Sequence, residues 1–242
     1  DLDDATYLSY RSPVYGRLAT LLKWPGKTDR LIRWSSVVLC GNPNIAADVR
    51  SRGGNAVVVP TVVDPRMFHA RETTNDIPVI GWIGTHTTYP FLERLTPVFD
   101  RLAREHRFQL TVIGSGRVNI DTRPWSAERE AEDFRSFDIG VYPLLDDEWN
   151  ARKSALKAVQ YMASGVPFVM SPVGVCATIG VPGETHLLAA TDDEWLASLR
   201  RLLTDAELRA RMGGAGRTFA EERYSLDEVV EILADTFASA AP

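Results

Sequence analysis

The sequence holds only two cysteines in 242 residues, Cys40 and Cys176. They are too few and too far apart for a disulfide framework or a zinc site, and they fit a reducing compartment, so a cytoplasmic protein is expected. No apolar run is long enough to cross a bilayer, and nothing resembles a signal peptide. A basic excess is missing too. Lys and Arg number 27 against 32 Asp and Glu, for a net charge of −5, which argues against a general nucleic-acid binder. There are no repeats and no low-complexity segment, and no Ser/His/Asp or Cys/His set stands at a spacing that suggests nucleophilic catalysis. The chain opens DLDDATYL, without Met and in what reads as a strand, so a piece of a longer protein is expected.

What is present is an alternation. Apolar residues make up 45% of the chain, enough for a sizeable core. Val37–Cys40 and Ala56–Pro60 are continuous β-branched runs, as buried parallel strands tend to be, and the segment between them reads as a helix. Residues 66–76 are polar, carry no periodicity and read as a linker. Strands then follow at Ile77–Ile83, Phe108–Ile113, Val118–Asp121, Ile139–Pro143 and Pro167–Met170, with helices at Phe91–Glu105, Ser126–Ser136 and Lys153–Ser164. The tail from Asp192 to Ala240 reads as helical, with a break at Gly213–Gly214. This order predicts an α/β fold, a Rossmann-like parallel sheet with helices on both faces.

Open α/β sheets bind ligands outside the carboxyl ends of their strands. Three turns there are rich in small residues: GWIGTHTT (81–88), VIGSG (112–116) and SPVGV (171–175). Glycine lets backbone N–H groups approach an anion closely. Lys153, Lys157 and Gln160 are spaced to share one face of the helix after Glu148, with Arg152 beside them. A lysine in the first turn opposes the helix dipole, and no acid occurs between Glu148 and Glu184 to offset it. A bound anion resolves the conflict; a solvated basic face is the alternative.

Other candidates each carry two readings. Asp1, Asp3 and Asp4 are metal ligands or a strand end with a capping aspartate. His86 contacts substrate or lies on the surface. Asp146, Asp147 and Glu148 bind sugar hydroxyls or form a polar loop. Residues 11–33, with six Lys and Arg against one acid, lie on an anionic membrane or pack on a sheet.

KAVQYMASGVPFVMSPVGV, VVVPTVVDPRMF, LTVIGSG, FDIGVYPL and LRARMGGAGRTFAEERYS occur in this order. Together they resemble the family 4 glycosyltransferases of GT-B fold over residues 56–228. The resemblance implies that residues 1–65 are the last part of an N-terminal, acceptor-side domain. It makes 77–228 the domain for a nucleotide-diphosphate sugar and 229–242 a crossover helix. It implies a retaining transfer without a metal, to a carbohydrate, lipid or small-molecule acceptor, with no other cofactor. By resemblance Lys153 and Lys157, with the amides of Ser154 and Ala155, hold the diphosphate. Gly84 and Thr85 close on the phosphates or the acceptor side, Ser115 and Gly116 line the nucleotide, and Gln160 holds the ribose. Gly174 and Val175 offer amides to donor oxygens.

The chain also departs from that pattern. Arg152 and Gln160 stand where the family has two glutamates, so sugar contact passes to Asp147 or Glu148. Thr178 replaces a frequent glutamate, and GTHTTYP lacks the family's usual Arg and Lys. Two alternatives follow, a nucleotide-sugar binding module without transfer and a GT-B sugar-nucleotide epimerase. Peripheral membrane contact and pairing through an exposed sheet edge are further expectations.

Overall fold

A computed structural model describes residues 1–9, 24–64, 66–71, 75–114 and 121–240, with Pro25 and Asp121 by backbone alone. Helix α1 (Pro25–Trp34) precedes strand β1 (Val38–Cys40), helix α2 (Pro43–Ser51) and strand β2 (Ala56–Val58). β1 and β2 pair in parallel, and Leu2 bridges the other edge of β1 at Cys40. Asn42 starts α2 by accepting a hydrogen bond from the Ile45 amide at 3.0 Å. Ile45, Ala46 and Val49 of α2 pack with Val38, Cys40 and Ile32 into one apolar cluster. The part of the basic stretch from residue 11 to residue 23 lies outside the described residues. Its continuation in α1 buries Ile32 and leaves Leu31 and Trp34 exposed.

The second sheet contains β3 (Val79–Ile83), β4 (Gln109–Ile113), β5 (Asp121–Arg123), β6 (Ile139–Tyr142), β7 (Phe168–Met170) and β8 (Leu187–Leu188). Its order is β5-β4-β3-β6-β7-β8, and each pair is parallel. The chain first builds outward from β3 and then returns to build on its other side, so the order reverses between β3 and β6. β6 and β7 are buried along their whole length, which fits cover on both faces.

Helices α3 (Tyr89–Glu93), α4 (Thr96–Ala103) and α7 (Asp192–Thr204) cover one face through Leu92, Val98, Leu102, Trp195 and Leu199. Helices α5 (Glu130–Arg135), α6 (Leu156–Ala163) and α8 (Ala206–Arg223) cover the other through Phe134, Tyr161, Met162 and Ala220. Buried Tyr161 satisfies its hydroxyl by donating to the carbonyls of Gly81 at 3.0 Å and Val141 at 3.3 Å. The final helix, α9 (Leu226–Ala240), brings Thr236 and Ser239 to a cavity shared with Val37 and Val57 of the first sheet region.

The differences from the sequence reading have local causes. The helix expected over 91–105 is two helices, because Pro97 has no N–H to give the carbonyl of Glu93. Thr96 donates its hydroxyl there instead, at 2.7 Å. Of the strand expected over 118–121 only Asp121 is described, within Asp121–Arg123; residues 115–120 lie outside the described residues. The helix expected from Ser126 starts at Glu130. No break occurs at Gly213–Gly214; α8 runs through it. Gly213 is there for close approach, since a Cβ on it would stand 2.2 Å from the carbonyl oxygen of Gly165. The real breaks are at Asp205, which caps α8 by accepting from the Leu208 amide at 2.7 Å, and at Tyr224–Ser225.

Candidate functional site

The helix expected over 153–164 begins at Leu156. A short 3-10 turn, Asn150–Arg152, comes first, and Lys153 is extended. Ala155 follows in the left-handed region with φ 57, holding the N-cap position of α6. Lys153 and Ser154 therefore lie off the helix. The shared helical face expected for Lys153, Lys157 and Gln160 does not form; Lys157 and Gln160 alone keep it. The amides left without an intrahelical acceptor at this end include those of Leu156 and Lys157.

Lys157 opens into a cavity of about 540 Å³ at the carboxyl ends of β3 and β4. Gly84, Thr85, His86, Gly114, Trp125 and Glu130 line it with Lys157. The backbones converge tightly at its floor: Gly114 has φ 93, and a Cβ there would stand 2.3 Å from the Gly84 carbonyl oxygen. Burial, with a smaller push from Lys153 and against the pull of Glu130, lowers the Lys157 pKa to about 8. The Thr85 amide is already used, donating to the Thr88 hydroxyl at 3.2 Å.

Glu130 and Trp125 were not among the residues singled out from sequence. Glu130 accepts from the Gln160 side-chain amide at 3.0 Å and from the Trp125 indole at 3.0 Å. Gln160 is buried, so this bond fixes which way its amide points. The acid-rich start of α5 was visible in the sequence; that it faces Gln160, thirty positions away, was not.

The remaining candidates are dispersed. Arg152 is not at the cavity. It is an ion-pair partner of Asp48 on α2, with Nη2 at 3.3 Å from Oδ1. Asp48 also accepts from the Tyr7 hydroxyl at 2.8 Å, and Arg52 lies 4.1 Å above the Tyr7 ring. The basic cluster thus does have an acid, contributed from more than a hundred positions upstream. Asp147 caps the 3-10 turn, accepting from the Asn150 amide at 2.7 Å and side chain at 2.8 Å. Glu148 is exposed, 3.6 Å from Arg152. Ser154 donates to the Asp3 carbonyl at 3.2 Å, and Lys153 lies 3.9 Å from Asp4. Asp3 accepts from Thr61 at 2.8 Å. The three N-terminal aspartates thus form no metal set, and among the described residues no three His, Cys, Asp or Glu side chains group to hold a metal. Gly174 has φ 56 and starts a second 3-10 turn, Gly174–Ala177, against Ala151. Ser115 and Gly116 lie outside the described residues.

The contacts of Arg152 carry a prediction. Burial raises the Asp48 pKa, but the bonds from Arg152 and Tyr7 outweigh it and hold the carboxyl below its usual range. The native state then binds fewer protons than the unfolded chain near the ordinary value of 3.8. The pair's stabilisation is full above that pH and is lost as pH falls through the lowered value. A double-mutant cycle with Arg152→Met and Asp48→Asn should give a coupling of about 1–2 kcal/mol at pH 7, since both groups are partly exposed. The same cycle at pH 3, below the ordinary carboxylate value, should give a smaller coupling. Equal coupling at both pH values would show that the ionic pair is not what joins them.

A family model described as "Glycosyl transferases group 1" matches residues 77–205. The chain belongs to the glycosyl transferases group 1. The relatives are distant. An MMP alpha-(1->4)-mannosyltransferase from Mycolicibacterium hassiacum is 29% identical over 189 residues, covering 71% of this chain and 45% of the relative. A D-inositol 3-phosphate glycosyltransferase from Stackebrandtia nassauensis is 29% identical over 120 residues, covering 49% of this chain and 26% of the relative. The chain thus spans about half, or less, of the curated relatives it matches. Among solved structures, Anabaena HepE in complex with UDP and glucose superposes with a TM-score of 0.74 at 14% identity, covering 98% of this chain and 70% of that one. Sucrose-phosphate synthase from Thermosynechococcus elongatus gives 0.73 at 15% identity, covering 98% and 66%. The GT-B type of α/β fold expected for this glycosyltransferase chain is the observed one. No helix among the described residues is long and apolar enough to cross a membrane.

Proposed function

We propose that the chain forms the donor-binding part of a family 4 type glycosyltransferase. It would take a nucleotide-diphosphate sugar and transfer its hexosyl group to a hydroxyl of a carbohydrate, lipid or small-molecule acceptor. The transfer would retain anomeric configuration and need no metal. The observation that carries this is Lys157. It is a desolvated cation at the carboxyl edge of a Rossmann-like sheet, in one cavity with an indole and a carboxylate. The base would lie against Trp125, the ribose hydroxyls would reach Glu130 and Gln160, and the diphosphate would meet Lys157. As the glycosidic bond breaks, negative charge grows on the leaving nucleoside diphosphate, where Lys157 would stabilise it. Anabaena HepE, a neighbour in fold, is seen with UDP-glucose, which supports a donor of this class.

The test is calorimetric titration with UDP, GDP and ADP and with the matching monophosphates. One diphosphate should bind at least about tenfold tighter than its monophosphate, a gap of about 1.4 kcal/mol. Equal affinity for the two would remove the diphosphate role.

A second reading, sugar-nucleotide binding without transfer, is favoured by one observation. Arg152 is committed to Asp48, Asp147 is exposed but caps the 3-10 turn, and Glu148 lies 3.6 Å from Arg152, so each side chain expected at the sugar already has a local partner. Release of nucleoside diphosphate that depends on an added acceptor would decide for transfer.

A further inference from the structure

At the opposite end of the second sheet, near the amino ends of β6 and β7, lies a cavity of about 360 Å³. Asp138 and Pro167 precede those strands and line it. Among the described residues that line it, three are arginines, Arg71, Arg209 and Arg217, against one acid, Asp138. Arg71 is paired with Asp138 at 2.8 Å, and Arg217 is paired with Glu221 at 2.6 Å. Arg209 differs. Its guanidinium donates to the carbonyls of Leu202 at 2.6 Å and Leu203 at 3.2 Å, and among the described residues no carboxylate lies within 4.0 Å of it. Among the described residues nothing bulky fills the space between these groups, because the wall of α8 there is Ala206, Ala210, Gly213 and Gly214. The first turn of α8, an 18-residue helix, borders the same space.

We propose that this cavity is a second binding site, for a phosphate-class oxyanion such as inorganic phosphate or a sugar monophosphate. Guanidinium groups bind such anions through paired N–H donors, and Arg71 and Arg209 repel each other across this space. Consistent with that, burial lowers the Arg71 pKa and Arg209 lowers it further, against the pull of Asp138. The site is separate from the Lys157 cavity, at the other end of the strands, and does not rest on the transferase reading.

The experiment is thermal unfolding of the whole chain with inorganic phosphate, with a hexose 6-phosphate, and with chloride at matched ionic strength. An oxyanion present at ten times its dissociation constant should raise Tm by about 3 °C beyond chloride. A larger shift with the hexose ester would identify the esterified ligand, and equal shifts the phosphate group alone. Arg209→Ala should lose the shift. Because Arg209 also holds two helix-end carbonyls, Gly214→Glu provides a second variant. A Cβ on Gly214 meets nothing within 4 Å, the helix gains propensity, and the new carboxylate enters the cavity, so the fold holds and the shift disappears. Lys157→Met should keep it. A shift that chloride reproduces, that survives Gly214→Glu or that vanishes in Lys157→Met would overturn the proposal.

Discussion

Lys157→Met is expected to weaken nucleoside diphosphate binding by about a hundredfold while making the protein more stable. The first effect follows from losing a charge-assisted contact worth about 2–3 kcal/mol. The second follows from the free protein. Its folded state holds the lysine proton with a pKa near 8, against an ordinary 10.5. Between those values the unfolded chain keeps a proton that the folded one has released, so stability rises with pH across that window. Below pH 8 both states are protonated and the folded state carries the full cost of a desolvated ammonium. Removing that charge should therefore stabilise the fold by up to about 3 kcal/mol at pH 7 and by little above pH 10.5. Denaturant unfolding at pH 7 and pH 10.5, beside titration calorimetry, measures both effects. Diphosphate binding to the unaltered protein should also weaken as pH rises through 8. A variant that binds as before, or that is less stable at pH 7, would remove Lys157 from the site.

Gly174→Ala should cost about 3–4 kcal/mol. Left-handed backbone at φ 56 costs a residue with a Cβ about 1–2 kcal/mol. That Cβ would also stand 2.0 Å from the carbonyl oxygen of Ala151, which is backbone and must move. Gly183→Ala isolates the first part, because φ there is 88 and a Cβ would meet nothing within 4 Å. The two variants should differ by about 2 kcal/mol in urea unfolding. Equal losses would mean that the 150–154 segment yields freely. Displacing Ala151 also moves the turn that leads into α6, so donor affinity should fall in Gly174→Ala and stay unchanged in Gly183→Ala.

These residues show what the sequence makes legible. The runs at Val79–Ile83, Ile139–Tyr142 and Phe168–Met170 are apolar throughout, so buried parallel strands could be read directly. The two-residue strand Leu187–Leu188 has no periodicity to read. Lys157 stood out because a first-turn cation works against the helix dipole. Lys153 seemed to belong with it because four-residue spacing assumes an unbroken helix, and the left-handed Ala155 breaks it. Arg152 looked unneutralised because its carboxylate, Asp48, lies 104 positions away. Glu130 and Trp125 were missed for the same reason: the meeting of α5 with α6 is a tertiary fact, written in no local pattern.

Val63 forms a bridge with Ser225, and its amide donates to the Tyr224 carbonyl at 3.0 Å. The outgoing strand of chain between the two sheets and the returning one are thereby tied side by side. Arg152 with Asp48 and Ser154 with Asp3 join the same two regions at a separate place. Seams set apart in this way resist a swing about either one alone.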